Sequence, residues 1–362
     1  MHCKIIRINS SLFLLPRKET SVDPLGHALI QERIQSGIGH TEEILTSKQG
    51  SGQLRKRPQT WVITGTGSSE AHARFLAWLI NHHTTHHACF CPLSYFASNI
   101  HPHNAGLIVI SQGLSPNATL ALHHRESFEA CILFTATTQE NKQKGELIKE
   151  LLHDGASIIP FLPEDEYTTL LRVAGPLTGY AACIHWAQST LDATIKTISI
   201  DNLKLALNDA YKQGKALATP QVLSLLKQGC FFLTHAPFSE YLHNLSYKIM
   251  EGLFLPQPPI WDIGAFSHGP FQELSNNPRL GFIIQNADTN YDHPFQLAKT
   301  LLEQCTPSYH TLRATLPDPW SILECEMTLN GLIETALNAW NINQVNWPGQ
   351  GKDTALYTWS HP

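Results

Sequence analysis

Short apolar segments alternate with amphipathic segments through the first half of this chain. Continuous apolar segments occupy residues 60–64, 106–111, 130–137 and 156–162. Between them, apolar side chains recur at helical spacing in residues 70–80, 118–128 and 145–155. Strands that are apolar throughout are buried on both faces, as in a parallel sheet covered by helices. The pattern therefore predicts a doubly wound parallel sheet.

The same pattern starts again after two long amphipathic segments, at about 176–195 and 201–217. Apolar segments follow at 229–235, 279–286 and 309–314, and predicted helices at 239–254, 294–305 and about 321–340. One more helix is predicted at 24–37. We therefore predict an α/β fold with two doubly wound parallel-sheet domains in tandem. The predicted division is an N-terminal segment (1–49), a first domain (50–200) and a second domain (201–362).

The composition of the chain excludes several classes of protein. Its 362 residues are 42% hydrophobic and 15% charged, which is typical of a globular protein. The net charge is −5 and the basic residues are scattered, so nucleic acid is not an expected partner. The eight cysteines form no CxxC pair, which favours a reducing compartment. No apolar run reaches the ~20 residues of a membrane span, and the N-terminus is a poor signal peptide. We expect a cytoplasmic protein.

The segment VITGTGSSEAHA (62–73) places a glycine-rich turn between a predicted strand and a predicted helix. Backbone N–H groups at the start of a helix bind anions, and Ser68 and Ser69 would add hydroxyl donors. Glu70 stands where a dinucleotide fingerprint needs its third glycine, and the GxSxG pattern of a nucleophile elbow is absent. The alternative is a tight connection in which Ser69 only caps the helix.

The next predicted strand ends in the same way. In LIVISQGLSPNATLAL (107–122), an apolar strand leads into a turn that contains Ser111, Gln112 and Ser115. The carboxyl ends of neighbouring parallel strands meet at one edge of the sheet, where such folds bind ligands. Two hydroxyl-rich turns at this edge indicate a phosphate site that has no Walker lysine.

These two turns resemble those of the sugar isomerase (SIS) domain family, whose doubly wound domains are flavodoxin-like. In that family, the serines and threonines of the corresponding turns hold the phosphate of a phosphosugar. The resemblance implies a phosphate site formed by Gly67, Ser68, Ser69, Ser111, Gln112, Ser115 and Thr119. The second turn is one residue shorter than the family pattern, so one phosphate hydroxyl is expected to be missing.

The second half resembles the isomerase half of glutamine–fructose-6-phosphate amidotransferase. The segment LHNLSYKIMEGLF and the later SHGP correspond to its K-x-x-E and H-G-P patterns. This implies catalytic roles for Lys248, Glu251 and His268, and Lys352 is the candidate for the family's terminal lysine. No glutaminase domain is expected before residue 50. A second phosphate site is not expected either, since the second half lacks the family's G-R-G turn.

Moving a carbonyl between carbons 1 and 2 of a sugar needs a base that takes and returns a proton, and we assign this role to Glu251. Lys248 would stabilise negative charge on the sugar oxygen. His268 would assist ring opening, and in the resembled enzymes it comes from the neighbouring subunit, which implies a homodimer. The alternative for Lys248 and Glu251 is a surface ion pair.

We therefore predict a phosphosugar aldose–ketose isomerase that acts on a phosphorylated sugar or aminosugar. Coupled amination, deamination or deglycation of an aminosugar phosphate stays open. The alternative is a non-catalytic phosphosugar-binding regulator, and an NAD(P)-dependent oxidoreductase is a distant third. No cofactor is expected. No metal is expected either, because the histidine-rich segment 81–91 matches no zinc spacing.

Overall fold

The computed structural model describes residues 24–47, 57–98, 104–163, 166–287 and 290–359. The prediction that the first residues are not a signal peptide lies outside this range. Within it, the architecture is α/β, with two parallel sheets and helices packed around them. The predicted α/β class with parallel sheets is thus confirmed.

The first sheet has five parallel strands in the order β2-β1-β3-β4-β5. The strands are β1 (Thr60–Thr64), β2 (His87–Phe90), β3 (Ala105–Ile110), β4 (Ala130–Thr135) and β5 (Ser157–Pro160). Four of them lie in the predicted apolar segments. The sequence pattern missed β2 because it is a four-residue edge strand whose residues alternate between exposed and half-buried.

Five helices accompany this sheet. They are α1 (His27–Thr46), α2 (Ser68–His83), α3 (Thr119–Leu122), α4 (Gly145–His153) and α5 (Ala174–Thr190). The predicted helix at 118–128 is wrong after Leu122, where α3 ends. The chain then forms a short 3-10 segment at Arg125–Ser127. There Arg125 forms ion pairs with Glu150 at 2.7 Å and Asp154 at 2.5 Å, which hold the chain against α4.

The second sheet has four parallel strands in the order β7-β6-β8-β9. They are β6 (Cys230–Thr234), β7 (Ile260–Asp262), β8 (Leu280–Gln285) and β9 (Tyr309–Arg313). The helices of this half are α6 (Ile200–Leu217), α7 (Pro220–Leu226), α8 (Phe238–Tyr241), α9 (His243–Leu253), α10 (Pro270–Asn276), α11 (Asp292–Cys305), α12 (Ser321–Trp340) and α13 (Thr354–Tyr357). The three-residue β7 was too short to be predicted.

The main hydrophobic core runs between the two sheets without a break. It contains Ile63 of β1, Phe232 of β6 and side chains of α2, α5, α9 and α12. Tyr180 of α5 donates a hydrogen bond to the Tyr241 carbonyl at 3.0 Å, across the two halves. The division near residue 200 stays a prediction, and α6 begins at that point. Among the helices of the described ranges, none has both the length and the apolar character needed to cross a membrane.

Candidate active site

The two serine-containing turns lie side by side at the carboxyl edge of the first sheet. β1 and β3 are adjacent and parallel, and each ends in one of the turns. We call residues 65–69 the first turn and residues 111–115 the second turn. The chain leaves β1 and β3 toward opposite neighbours in the strand order, which is the position where doubly wound sheets form a crevice.

The first turn presents unbonded polar groups at the start of α2. Gly65 packs so closely on the Ser69 backbone that a side chain at this position would collide with it. Gly67, in the left-handed region at φ 60°, is the residue that precedes the helix, so Ser69 is not the cap. Ser68 and Ser69 are half-buried, and their hydroxyls make no hydrogen bond to the described chain. Both are therefore open to an anion at the helix N-terminus.

The second turn brings two hydroxyls together. Ser111 Oγ accepts a hydrogen bond from the Ser115 backbone N–H at 3.1 Å and lies 3.4 Å from Ser115 Oγ. Ser115 Oγ also donates to Asn117 Oδ1 at 2.8 Å. Leu114 adopts φ 47°, a left-handed conformation that closes the turn. The two serines thus face the same small volume.

Two further residues predicted to bind phosphate are committed to internal bonds. Gln112 Nε2 donates to the Pro163 carbonyl at 3.0 Å and to Glu166 Oε2 at 3.1 Å. Glu166 is fully buried and accepts backbone N–H bonds from the first residues of α5. Thr119 Oγ1 donates to the Pro116 carbonyl at 2.5 Å. The second turn therefore offers fewer free polar side chains than the family pattern implies.

Glu251, on α9, carries the most strongly shifted carboxyl near these turns. Burial raises its pKa from 4.5 to about 7, against the opposing effect of the positive charge of Arg172. The carboxyl makes no hydrogen bond to any residue in the described ranges. A carboxylate whose pKa lies near neutrality, with no partner of its own, has the properties of a general base.

Two side chains near Glu251, Tyr247 and Arg172, lead toward the first and the second turn. Tyr247 lies one helical turn before Glu251 and donates a hydrogen bond at 3.4 Å to Glu70, the residue that follows the first turn. On the other side, the Arg172 guanidinium lies 4.1 Å from the ring centre of Tyr167. The Tyr167 hydroxyl in turn packs against Gly113 of the second turn. Glu251 is therefore close to two side chains, Tyr247 and Arg172, that lead to the two turns.

The side chain of Lys248 is directed into the protein interior, toward α12. Its side chain is 1% exposed, and Nζ lies 2.5 Å from Oε2 of the buried Glu326 on α12. Nζ also donates to Asn330, and Asn244 donates to both Glu326 oxygens at 2.8 and 2.9 Å. The alternative of a surface ion pair between Lys248 and Glu251 is therefore wrong. Lys248 is part of a buried network between α9 and α12.

The other two predicted catalytic residues are exposed. His268 lies in the loop between β7 and α10, and its ring bonds to no residue that the structure describes. Lys352 lies in the turn before α13, also exposed. Neither side chain bonds to Glu251 within the described part of one chain. Tyr357 of α13 is near Arg172, whose positive charge lowers the Tyr357 pKa, although partial burial raises that pKa more.

Sequence reasoning missed four residues around the turns: Lys144, Tyr167, Arg172 and Tyr247. Lys144 Nζ donates to the Gly113 carbonyl in the second turn. The first three lie in loops between predicted elements, and loop residues follow no periodic pattern. Tyr247 lies in a predicted helix, where its spacing from Glu251 was the only available signal.

The histidine-rich segment 81–91 has ordinary structural contacts. His83 Nδ1 lies 3.1 Å from the Thr194 carbonyl, and His86 Nδ1 lies 2.9 Å from the Pro58 carbonyl. No group of three or more histidine, cysteine or acidic side chains that could hold a metal ion occurs in the described part of the chain.

Comparisons with known proteins bear on the fold. No family model matches the sequence, and no curated protein matches it either. Solved structures do match. The C-terminal domain of glucosamine-fructose-6-phosphate aminotransferase from Francisella tularensis has a TM-score of 0.70 at 11% identity, covering 85% of this chain and 95% of that one. Glucosamine-6-phosphate deaminase from Thermotoga maritima has a TM-score of 0.67 at 11% identity, covering 88% and 97%.

Tagatose-6-phosphate ketose/aldose isomerase from Escherichia coli matches with a TM-score of 0.61 at 14% identity, over 90% of this chain and 92% of that one. At such low identities the likeness establishes the fold alone. The chain thus shares the fold of SIS-domain phosphosugar isomerases and of the aminotransferase C-terminal domain. The function must be argued from the residues of the site.

Proposed function

We propose that this protein is a phosphosugar aldose–ketose isomerase with Glu251 as its general base. The observation that carries the proposal is the environment of Glu251. Its carboxyl has a pKa raised to about 7 and lies near two side chains: Tyr247, which bonds to Glu70 beside the first turn, and Arg172, which stacks on Tyr167 beside the second turn. A base is thereby combined with two groups of hydroxyls suited to a phosphate.

In the proposed reaction, the substrate phosphate binds to the hydroxyls of Ser68, Ser69, Ser111 and Ser115, near the positive end of the α2 helix dipole. The Glu251 carboxylate removes the proton from carbon 2 of the open-chain aldose, which gives an enediolate with its negative charge on the oxygen of carbon 1. The same carboxyl returns the proton to carbon 1, while the hydroxyl proton moves from the oxygen of carbon 2 to that of carbon 1. General base catalysis of this kind contributes about 10²–10⁴-fold to the rate.

The charge of Arg172 is proposed to stabilise the enediol oxygens, the role that the sequence suggested for Lys248. The guanidinium is already held by the Glu166 carbonyl at 2.7 Å and by the Tyr167 ring, so it needs little reorganisation. Preorganised charge of this kind is typically the largest electrostatic contribution to such reactions. Lys248, paired with Glu326, is assigned a structural role instead.

The substrate, the oligomeric state and the roles of His268 and Lys352 are also part of the proposal. The substrate is a hexose or aminosugar phosphate, and amination, deamination or deglycation of an aminosugar phosphate is compatible with the same base. His268 is proposed to be supplied by a second copy of the chain, as its exposed loop position allows. Lys352 is proposed to join the site with the C-terminal segment. The working form is then a cytoplasmic homodimer that uses no cofactor.

A second candidate function is a phosphosugar-binding regulator without catalysis. It is favoured by the burial of Lys248 against Glu326, which removes the residue that the amidotransferase pattern assigns to catalysis. A regulator would use the two turns but would not need the shifted pKa of Glu251.

Thermal stabilisation by a panel of hexose, hexosamine and fructosamine phosphates, beside their unphosphorylated parents, tests the binding step. Turnover of each stabilising ligand is then measured for the wild-type protein, Glu251→Gln and the control Glu146→Gln, whose side chain is 89% exposed. An enzyme loses at least about 100-fold in turnover with Glu251→Gln alone, at unchanged affinity.

Phosphosugar binding without turnover in the wild-type protein would support the regulator. Absence of any phosphate-dependent stabilisation would contradict both functions.

A further inference from the structure

Neither of the two serine turns contains a positively charged side chain. A phosphate monoester carries close to two negative charges at pH 7, whereas serine hydroxyls and backbone N–H groups are neutral donors. Arg74 is paired with Glu70 at 2.9 Å, and Lys248 is paired with Glu326. Arg172 donates to backbone carbonyls and stacks on an aromatic ring.

Lys144 differs from Arg74 and Lys248, which are each paired with a carboxylate. It lies in the loop between β4 and α4, and its Nζ donates to the carbonyl of Gly113, in the middle of the second turn. It has no carboxylate partner among the residues whose positions are described. The side chain is half-buried, and burial lowers its pKa from the usual value for lysine. An ammonium group that is partly desolvated and bonded only to a carbonyl gains from a nearby anion.

The loop holds Lys144 in place. Asn141 Oδ1 accepts the backbone N–H of Gln143 at 3.1 Å and that of Lys144 at 3.0 Å, and its carbonyl accepts from Gly145 at 2.8 Å. Gly145 packs so tightly against the Gln139 backbone that any side chain there would collide. The loop therefore fixes the backbone at Lys144, and the bond from Nζ to the Gly113 carbonyl directs the side chain toward the second turn.

Lys144 also lies beside the second turn, which has few polar side chains free to bind a ligand. Gln112 is turned away toward Glu166, and Thr119 is bonded within its own turn. An ammonium group has three N–H donors, so the bond to Gly113 leaves two for another acceptor.

We propose that Lys144 is a ligand of the substrate phosphate and supplies the positive charge that the shortened second turn lacks. This proposal rests on the phosphosugar function proposed above. It makes Lys144 a determinant of specificity for phosphorylated over free sugars.

The first experiment measures the dissociation constants of fructose 6-phosphate and of glucosamine 6-phosphate for the wild-type protein, Lys144→Met and Lys144→Arg. The control is Lys149→Met, an exposed lysine on α4 that is paired only with Glu146. A hydrogen bond to a charged group contributes about 1.5–3 kcal/mol, which corresponds to a loss of about 10- to 100-fold for Lys144→Met. We expect Lys144→Arg to retain most of the affinity and Lys149→Met to change it less than two-fold.

A second experiment needs no substitution. Lysines of the wild-type protein are acetylated with and without saturating fructose 6-phosphate, and the modified peptides are quantified. We expect the phosphosugar to protect Lys144, while the exposed Lys142 and Lys149 react at unchanged rates. Fructose should protect none of the three.

The outcomes separate the two proposals. If the wild-type protein binds a phosphosugar but Lys144 is not protected and Lys144→Met binds equally well, only the role of Lys144 is overturned. If no sugar phosphate of the panel stabilises the wild-type protein, the proposed function and the role of Lys144 both fail.

Discussion

The two parallel sheets end in edges of opposite character. At the first edge, β1 leads into a glycine-rich turn whose Ser68 and Ser69 hydroxyls are unbonded within the described chain, and a helix of 16 residues follows. At the second edge, β6 leads into His235, whose ring is buried and stacked on Tyr291 at 3.9 Å, and the helix that follows has only four residues. Similar strands thus lead to a polar recess in one half and to a packed aromatic contact in the other.

The charges at the two edges differ as well. At the second edge, β7 ends at Asp262, which accepts a hydrogen bond from Ser239 at 3.4 Å, and Asp318 accepts one from Asn286 at 2.6 Å. Carboxylates at these positions repel an anion, whereas Lys144 approaches the first edge. The prediction that the second half lacks a phosphate site stays a prediction, with a physical reason in these residues. A few residues after each strand, and not the sheet itself, set the chemistry.

The largest expected effect tests whether the buried ion pair between Lys248 of α9 and Glu326 of α12 is structural. Lys248→Met removes the partner of the buried Glu326 carboxylate, so we expect the free energy of unfolding to fall by about 3–5 kcal/mol. Urea denaturation measures this change, and the double variant Lys248→Met with Glu326→Leu should recover most of it. If Lys248→Met instead keeps its stability but loses turnover, the result would support a catalytic role for Lys248.

The second prediction compares the two edges directly. Ser68→Ala combined with Ser111→Ala removes one hydroxyl from each turn, and the loss of two hydrogen bonds to a charged group should weaken phosphosugar binding by about 100-fold or more. Ser239→Ala removes a hydroxyl from the second edge and should change the affinity less than two-fold. Calorimetric titration with the best stabilising phosphosugar provides both values. Equal losses in the two variants would contradict the assignment of the site to the first edge.

The smallest predicted effect is a change in pH dependence. Only the ionised Glu251 carboxylate accepts a proton, and its pKa is raised to about 7, so kcat/KM should rise about ten-fold per pH unit up to about 7 and then level off. The Arg172 charge opposes the rise in this pKa, so Arg172→Gln should move the inflection to higher pH. Rates measured between pH 5 and 9 test both points. An inflection near 4.5, the ordinary value for glutamate, would contradict the burial of the base.

The sequence predicted the strands well where they are apolar throughout. The segment 60–64 coincides with β1 because both faces of a central strand are buried, which leaves a continuous apolar run. The edge strand β2 was not predicted, because its residues alternate between exposed and half-buried and leave no continuous apolar run. The predicted helix at 118–128 ended early because Arg125 binds acidic side chains of α4, and such tertiary contacts leave no periodic signal.

The candidate site was predicted in part. The two turns and Glu251 belong to local patterns, since a glycine turn after a strand and a K-x-x-E segment can be read from adjacent residues. Tyr167 and Arg172 approach the site from a loop more than 50 residues beyond the second turn, so nothing near the turns in the sequence indicates them. The commitment of Gln112 to Glu166 likewise depends on a residue 54 positions away.

The strand–turn–helix units and the positions of the serine turns follow from local patterns, because apolar runs and glycines act on neighbouring residues of the chain. The directions of the α9 side chains depend instead on helices that pack against α9 in the folded protein. A spacing of three residues is compatible with a shared helix face, yet Glu326 on α12 draws Lys248 into the interior, while Glu251 is left near Arg172. The position of each buried charge is determined by partners that the fold brings from distant parts of the chain, because an unpaired charge in the interior is too costly.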